Sequence, residues 1–418
     1  MTPEPVVVTG MGIACAAGVG IEAFAAGLFE GKPGIRPIRS FDTTGFALPD
    51  HTLLGGEVAD LPEGQPRVPS SPSLDLAARA ADKTFSSLDR VQKLALLAAV
   101  EAWTSSGDSP GGERTGVVLG TVTGGIRSGE TFLRKTRSSA STGADLPCRA
   151  APESAALAVA RELKLSPVNL TVNTACASGT TAVGLAFRMI RSGKADRLLA
   201  GGAEALSLFA ASGFSALKLL TSDAIRPFDR RRSGFLLGEG AAFVVLERLS
   251  SARRRGANLF GTILGYGASA DATGMVKPDL TGSGLARAMN AAIRDAALFP
   301  ADVDAINAHA TATVHNDLAE SAAVHRVFGD RAAAVPVSAV KPLTGHALAA
   351  SGAIETIASL LALARQTLPP TPGFEEPDPA CGLNVIRSWE QRSLSHVLSI
   401  SAGFMGHNAA LLLGRADA

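Results

Sequence analysis

The feature of this sequence that first points to chemistry is a cysteine where a strand gives way to a helix. Cys176 lies in Leu170-Thr-Val-Asn-Thr-Ala-Cys-Ala-Ser-Gly-Thr-Thr, an apolar run followed by small residues. A cysteine there meets the positive end of the helix macrodipole and free backbone N–H groups, which favour the thiolate. Its small neighbours leave room for a substrate. These properties make Cys176 a candidate nucleophile; the competing reading is a buried structural cysteine. Cys15 and Cys381 lack the strand–turn–helix setting and read as structural, while Cys148 falls in an irregular stretch without a role.

A thiolate needs partners. His309 stands in Ile306-Asn-Ala-His-Ala-Thr-Ala-Thr, and His346 in Ser338-Ala-Val-Lys-Pro-Leu-Thr-Gly-His-Ala. Each follows a buried strand in a turn of small residues, a placement that faces a pocket. For a single histidine the competing reading is a surface or satisfied core position, and His51, His315, His325 and His396 take that reading. His407 stays a candidate because it lies in a glycine turn. Lys341, five residues before His346, supplies a buried positive charge, with Glu320 as its counter-charge; the alternative is a surface lysine and a helix-face glutamate. One cysteine with two such histidines is a stronger signal than any of the three alone.

Other chemistries fail on the string. There is no G-x-x-x-x-G-K-S/T loop, and Gly10-x-Gly12 does not continue to a third glycine because position 15 is Cys15. G-x-S-x-G, H-E-x-x-H and Cys/His pairs at zinc spacing are missing, so no metal site is expected. Cysteine-based acyl chemistry is left in front.

The elements that must position these residues alternate between short apolar runs ending in glycine and alanine-rich helices, the pattern of an α/β protein with buried strands. Strands are expected at 6–9, 115–119, 170–173, 197–200 and 242–246, with helices at 91–102 and 180–191. Segment 250–256, carrying Arg253-Arg254-Arg255, reads as an exposed connector. The second half brings strands at 305–307 and 335–338, helices at 318–328 and 349–364, and a closing hairpin, 396–401 with 409–413. Gly238-Glu-Gly-Ala-Ala and Gly406-His-Asn-Ala-Ala each precede an apolar strand. This echo suggests duplicated halves, residues 1–255 carrying Cys176 and residues 256–418 carrying His309, Lys341 and His346.

Composition narrows the class. Lysine plus arginine is 39 against 38 acidic residues, a net charge of +1, so the basic excess of a nucleic-acid binder is missing. Aromatic residues are 5%, too few for base-stacking platforms. Hydrophobic residues at 46% supply a large core. The start lacks the basic region of a signal peptide, and the apolar stretch at 353–364, broken by Glu355, reads as a buried helix rather than a membrane span. A cytoplasmic protein with reduced cysteines is expected.

The same residues carry a resemblance. Val-Val-Val-Thr-Gly-Met-Gly near the start, Asp89-Arg90 before an alanine-rich helix, and Asn-Thr-Ala-Cys-Ala-Ser-Gly-Thr around Cys176 come in order. Gly-Gly-Ala-Glu-Ala (201–205), Arg-Pro-Phe-Asp-Arg (226–230) and Gly-Phe-Leu-Leu-Gly-Glu-Gly-Ala (234–241) follow. Then come Asn-Ala-His-Ala-Thr-Ala-Thr with Asp317 and Glu320, Val-Lys-Pro-Leu-Thr-Gly-His (340–346), Leu-Pro-Pro-Thr (368–371) and Gly-Phe-Met-Gly-His-Asn (403–408). From Val6 to Leu413 the chain resembles the β-ketoacyl-acyl carrier protein synthases, the elongating ketosynthases of the thiolase superfamily.

The resemblance implies a thiolase-like, five-layered α-β-α-β-α fold from two duplicated halves, usually a homodimer. It implies Cys176 as the nucleophile that accepts an acyl group from a carrier-protein thioester, and the N–H groups of Cys176 and Phe404 as the oxyanion hole. His309 and His346 then stabilise the enolate formed as a malonyl thioester loses carbon dioxide. Lys341 supports the histidines, Glu320 matches its partner carboxylate, Thr311 and Thr313 match contacts to the phosphopantetheine arm, and Phe404 matches the gate. No cofactor is implied, because phosphopantetheine arrives on the acyl carrier protein. Departures are Ala310 and Ala312 where glycine is commoner, Ala402 for a first phenylalanine and Met405 for a glycine. They leave fatty acid elongation, polyketide and aryl polyene assembly all open. Chain-length-factor-like partner subunits, the non-catalytic alternative, typically lose the cysteine that this chain keeps. A true thiolase needs a second catalytic cysteine in a C-terminal glycine-rich motif, and Cys381 lies well before that region.

Overall fold

The structure is a computed structural model and describes residues 4–46, 53–59, 61, 85, 87–107, 113–138 and 145–416. His51 lies outside them. Two mixed sheets face each other across a middle layer of helices. In the first sheet the order is Pro167–Val172, Thr115–Gly120, Arg197–Glu204, Gly240–Arg248 and Val6–Cys15. The first two pairings are parallel and the next two antiparallel. The second sheet repeats this sense with Pro336–Ser338, Ala305–Asn307, His396–Ala402, His407–Gly414 and Gly261–Ala270. Val6–Val8 pairs antiparallel with Gly261–Ile263 and joins the two sheets edge to edge. The strands entered by the two Gly-x-x-Ala-Ala echoes occupy matching places, one in each sheet.

Helices Arg90–Ser105 and Ser154–Glu162 cover the outside of the first sheet; Ser283–Asp295 and Val314–Phe328 cover the second. Between the sheets lie Ser178–Arg191 and Ser351–Arg365, both mostly buried. The chain thus has the five-layered thiolase-like fold. Leu348–Arg365 is long and apolar enough to cross a membrane, yet it fills this middle layer and is buried by protein.

Glycine permits the close packing that brings the two central helices together. A Cβ on Gly179 would lie 2.5 Å from the Ala349 carbonyl oxygen, and one on Gly352 would lie 2.0 Å from Thr180 Oγ1. The helices therefore meet at their N-terminal ends, which are the ends that follow Cys176 and His346.

Three local expectations are corrected. The first strand does not stop at Thr9 but runs to Cys15, with Gly10 and Gly12 inside it. Helix Arg90–Ser105 lies so close that a Cβ on either would come within about 2.1 Å of a helix carbonyl. The glycines mark a close approach rather than a turn. Segment 250–256 is mostly helix, Leu249–Arg254. Arg255 is not exposed; it pairs with buried Glu247 and donates to the Ser106 carbonyl. Cys148 sits exposed on a short helix, Asp145–Ala150.

Candidate active site

Cys176 occupies the turn between strand Pro167–Val172 and helix Ser178–Arg191. Ala175, just before it, adopts φ 50. The turn is pinned by Asn173 Oδ1, which accepts from the Ala175 N–H at 3.1 Å, and by Ser178 Oγ, which accepts from the Thr174 N–H at 2.9 Å. The thiol is 7% exposed, and the N–H groups of Phe404 and of Cys176 itself are directed at it.

The second half delivers the partners. His346 Nε2 is 3.2 Å from Cys176 Sγ, and its Nδ1 is 3.1 Å from Ser351 Oγ. The imidazoles of His309 and His346 stand edge to face, 5.4 Å apart at 84°. Lys341 Nζ is 3.2 Å from His309 Nδ1. An ammonium can only donate, so this contact makes Nδ1 the acceptor and leaves the proton on Nε2. All three side chains are at most 2% exposed.

Glu320 is not the ion-pair partner of Lys341. Lys341 Nζ bonds Glu355 Oε1 at 2.5 Å, and both groups are buried. Glu355 was visible in the sequence as the single charge within an apolar helix, a signal that a core reading passes over. Glu320 instead accepts the backbone N–H groups of His309 at 2.5 Å and Ala310 at 2.8 Å. Asp317, one turn before it, accepts those of Ala312 at 3.1 Å and Phe228 at 2.8 Å. Ala310 and Ala312 have φ 51 and 61, the left-handed region where a Cβ costs about 1–2 kcal/mol. The two carboxylates hold that loop in its strained form and thereby fix His309 and Thr311.

Burial governs the protonation of these groups. The sequence argument from the helix terminus expects a lowered thiol pKa; instead burial pushes the Cys176 thiol up to about 12, with Lys341 opposing. Burial first, then Lys341, holds His309 and His346 well below their ordinary 6.5, so both stay neutral. Burial lifts Glu355 to about 7 against the pull of Lys341. It lifts Glu320 to about 8, aided by Asp317 and opposed by the N–H groups it accepts and by Lys341.

A cavity of about 480 Å³ opens over this cluster, with Cys176, His309, His346 and Phe404 in its walls. Thr311 and Thr313 line it too, their hydroxyls 3.0 Å apart. Phe214 packs against Phe404 and Phe235, and Phe235 meets His346 edge-on at 5.1 Å. Phe404 begins a short turn in which Met405 takes φ 61. Of the other histidines, His325 bonds the Cys381 carbonyl, and His396 that of Asp302. His315 is exposed at the mouth of the cavity, and His407 opens the last strand without touching the cluster. Among the described residues no group of His, Cys, Asp and Glu could hold a metal ion.

Comparison with known sequences decides the family. Residues 3–252 match the beta-ketoacyl synthase N-terminal domain, and residues 260–375 its C-terminal domain. The chain belongs to the beta-ketoacyl synthase family. A relative, the 3-oxoacyl-[acyl-carrier-protein] synthase 2 of Coxiella burnetii, is 35% identical over 434 aligned positions, covering 99% of each chain. A solved structure titled the ishigamide ketosynthase/chain length factor superposes with a TM-score of 0.89 at 35% identity, covering 99% of this chain and 100% of that one. A second, a type II polyketide acyl-carrier protein in complex with its ketosynthase, gives 0.87 at 29% identity, covering 99% and 100%. This beta-ketoacyl synthase therefore matches these three proteins over nearly their full lengths.

Proposed function

We propose that this beta-ketoacyl synthase is a 3-oxoacyl-[acyl-carrier-protein] synthase that extends an acyl chain by two carbons, in fatty acid or polyketide-type synthesis. The observation that carries the reading is the chain of contacts Cys176–His346 and His309–Lys341, with 3.2 Å at each step.

In the first half-reaction Cys176 Sγ attacks the thioester carbonyl of an acyl group on the carrier arm. Because the buried thiol holds its proton, attack and proton transfer are coupled through His346, and the proton ends on the departing arm thiol. The N–H groups of Cys176 and Phe404 take the oxyanion. In the second, a malonyl thioester sets its carbonyl between the Nε2–H groups of His309 and His346, His346 having changed tautomer as the Ser351 hydroxyl turns to donate to its Nδ1. Carbon dioxide leaves and its bonding electrons form the enolate. The enolate carbon attacks the acyl-cysteine, the Cys176 thiolate departs, and it takes up a proton from solvent. Neutral imidazoles suit this work, since they donate to the enolate oxygen without protonating its carbon. Lys341, paired with Glu355, fixes the His309 tautomer, and Glu320 holds the loop. Phe404 gates the site, and Thr311 and Thr313 contact the arm.

Residues 1–255 and 256–418 form the two halves of this arrangement, each supplying part of the site. The partners are acyl- and malonyl-loaded carrier protein, the resident cofactor is none, and the compartment is the cytoplasm. Among the described residues strand Pro167–Val172 leaves one edge of the first sheet unpaired, with Leu170 41% exposed, which supports pairing with a second copy or a homologous subunit. The second reading, a partner-dependent chain-length-factor-like subunit, draws on the likeness to a ketosynthase/chain length factor. The complete Cys176, His309, Lys341 and His346 set argues against it. Intact mass after incubation with acyl-carrier proteins separates the two: Cys176 gains the acyl mass, and Cys176→Ala does not. A folded protein that takes no acyl group from any donor refutes the proposal.

A further inference from the structure

Glu204 is a fully buried carboxylate that the acyl-transfer steps leave without a task. It ends strand Arg197–Glu204 and is 0% exposed. Such a group is costly unless donors surround it, and this one is surrounded. Its Oε2 accepts the Val122 N–H at 2.8 Å, and its Oε1 accepts the Thr123 N–H at 3.1 Å and the Thr123 hydroxyl at 2.5 Å. The Ala349 N–H is directed at the same group; burial pushes the carboxyl up, and these hydrogen bonds pull it back down. All of these partners donate, which matches an ionised, acceptor-only carboxylate.

The donors lie on two turns from distant parts of the chain, and each turn leads to a reacting group. Val122 and Thr123 follow strand Thr115–Gly120, and the Val122 carbonyl accepts from Asn173 Nδ2 at 3.3 Å. The oxygen of that amide holds the Ala175 N–H, one residue before Cys176. Ala349 belongs to the turn Leu348–Ala350, entered through Leu348 at φ 43, which joins His346 to Ser351, the partner of its Nδ1. Strand and turn are pressed together here: a Cβ on Gly202 would lie 2.5 Å from the Ala349 carbonyl oxygen. We infer that Glu204 is a positioning residue for acyl transfer, its ionised carboxylate tying the turn before Cys176 to the turn after His346. The assignment deepens the acyl-transfer reading above and rests on it. The charge acts at the same place: burial raises the Cys176 thiol first, Lys341 opposes the rise, and Glu204 adds to it. The resting cysteine therefore keeps its proton until His346 takes it.

The test follows acyl loading of Cys176 from acyl-carrier protein by intact mass, over a range of donor concentrations, beside iodoacetamide alkylation of the free protein at pH 8. Glu204→Gln keeps the shape, removes the charge and sets an amide NH2 against N–H groups that need an acceptor. Glu204→Asp keeps the charge and falls one methylene short of the two turns. Both are expected to lower the limiting loading rate about tenfold, with half-saturation by the donor unchanged, because a small displacement of the nucleophile from the imidazole suffices. Only Glu204→Gln is expected to alkylate faster, by roughly threefold, since loss of a nearby negative charge favours the thiolate. A merely structural loosening would move both variants alike. Asn173→Ala, a change at an exposed side chain, cuts the tie to Ala175 and slows loading without speeding alkylation; it carries the test if a melt shows the buried substitutions unfolded. Asn173→Ala that loads at the wild-type rate overturns the inference. So does folded Glu204→Gln that loads within twofold of wild type, a rise in half-saturation alone, or equal alkylation of the two Glu204 variants. In each of these cases the wild type still loads and the acyl-transfer reading stands, whereas a wild type that takes no acyl group removes both.

Discussion

Gly403→Ala isolates the part played by the turn that carries Phe404. Gly403 has φ −119 and ψ 160, a region open to alanine, so the substitution carries no backbone penalty. The added methyl is a purely steric probe. It would lie 2.9 Å from the Thr174 carbonyl oxygen, 3.1 Å from the Cys176 nitrogen and 3.3 Å from the Ala175 Cβ. Restoring ordinary contact requires the turn to withdraw by about half an ångström. The Phe404 nitrogen, bonded directly to residue 403, moves with it and away from the nucleophile. Overpacking of this size costs about 1–3 kcal/mol, which a chain with this much core tolerates. One oxyanion donor is worth roughly 10²–10³ in rate, so partial displacement slows Cys176 acylation by about 10- to 100-fold. Rapid-quench intact-mass measurement gives the rate, and a thermal melt confirms folding. A folded variant that acylates within threefold of the wild type would show that the Phe404 N–H does not stabilise the transition state.

Three further outcomes are expected. Glu355 has its pKa raised from 4.5 to about 7 with Lys341 beside it, and a raised carboxyl gives up stability as pH climbs through that interval. Lys341→Met raises it further, so wild type and variant lose this stability together up to pH 7. Above it only the variant keeps falling, by about 1.4 kcal/mol per pH unit, in urea unfolding at pH 6 to 9; parallel curves there would remove Lys341 as the counter-charge. Because burial lifts the Cys176 thiol to about 12, its alkylation by iodoacetamide in the free protein continues to speed up from pH 7 to 10, and a plateau by pH 8 would contradict this. Ala312→Val, placing a β-branched residue at φ 61, costs about 2 kcal/mol or more in urea unfolding and reduces acyl loading, whereas Ala312→Gly retains both; equal stability of the two variants would show that the loop is not held left-handed.

What was legible in the sequence was local. The setting of Cys176 spans a dozen consecutive residues, so strand, turn and helix could be read together, and the ordered motifs carried the fold. The partner of Lys341 was not local. Glu320 has the right charge, but its carboxylate, one turn further along the helix than Asp317, is captured by the N–H groups of the loop beside it. Glu355 lay inside an apolar stretch whose periodicity announces core, and only the packing of that helix against the second sheet shows which way its one charge points. Gly10 and Gly12 misled for a related reason: a glycine needed for a turn and a glycine needed for a neighbouring helix look the same in one dimension. The thiol's protonation went the other way from the sequence argument because a dipole is a sequence-level feature, whereas the depth of burial is not.

The glycine contact between the two central helices has a consequence for how the protein fails. Cys176 precedes one of these helices and His346 the other, and Gly179 and Gly352 set how near their starts can come. The 3.2 Å between nucleophile and imidazole is therefore held by the innermost packing of the molecule rather than by a surface loop. Neither half isolated from the other retains a working pair, and heating should not yield a loosened but active form. Loss of acylation and loss of the middle layer are one event, so the temperature at which loading stops reports directly on the melting of the interior.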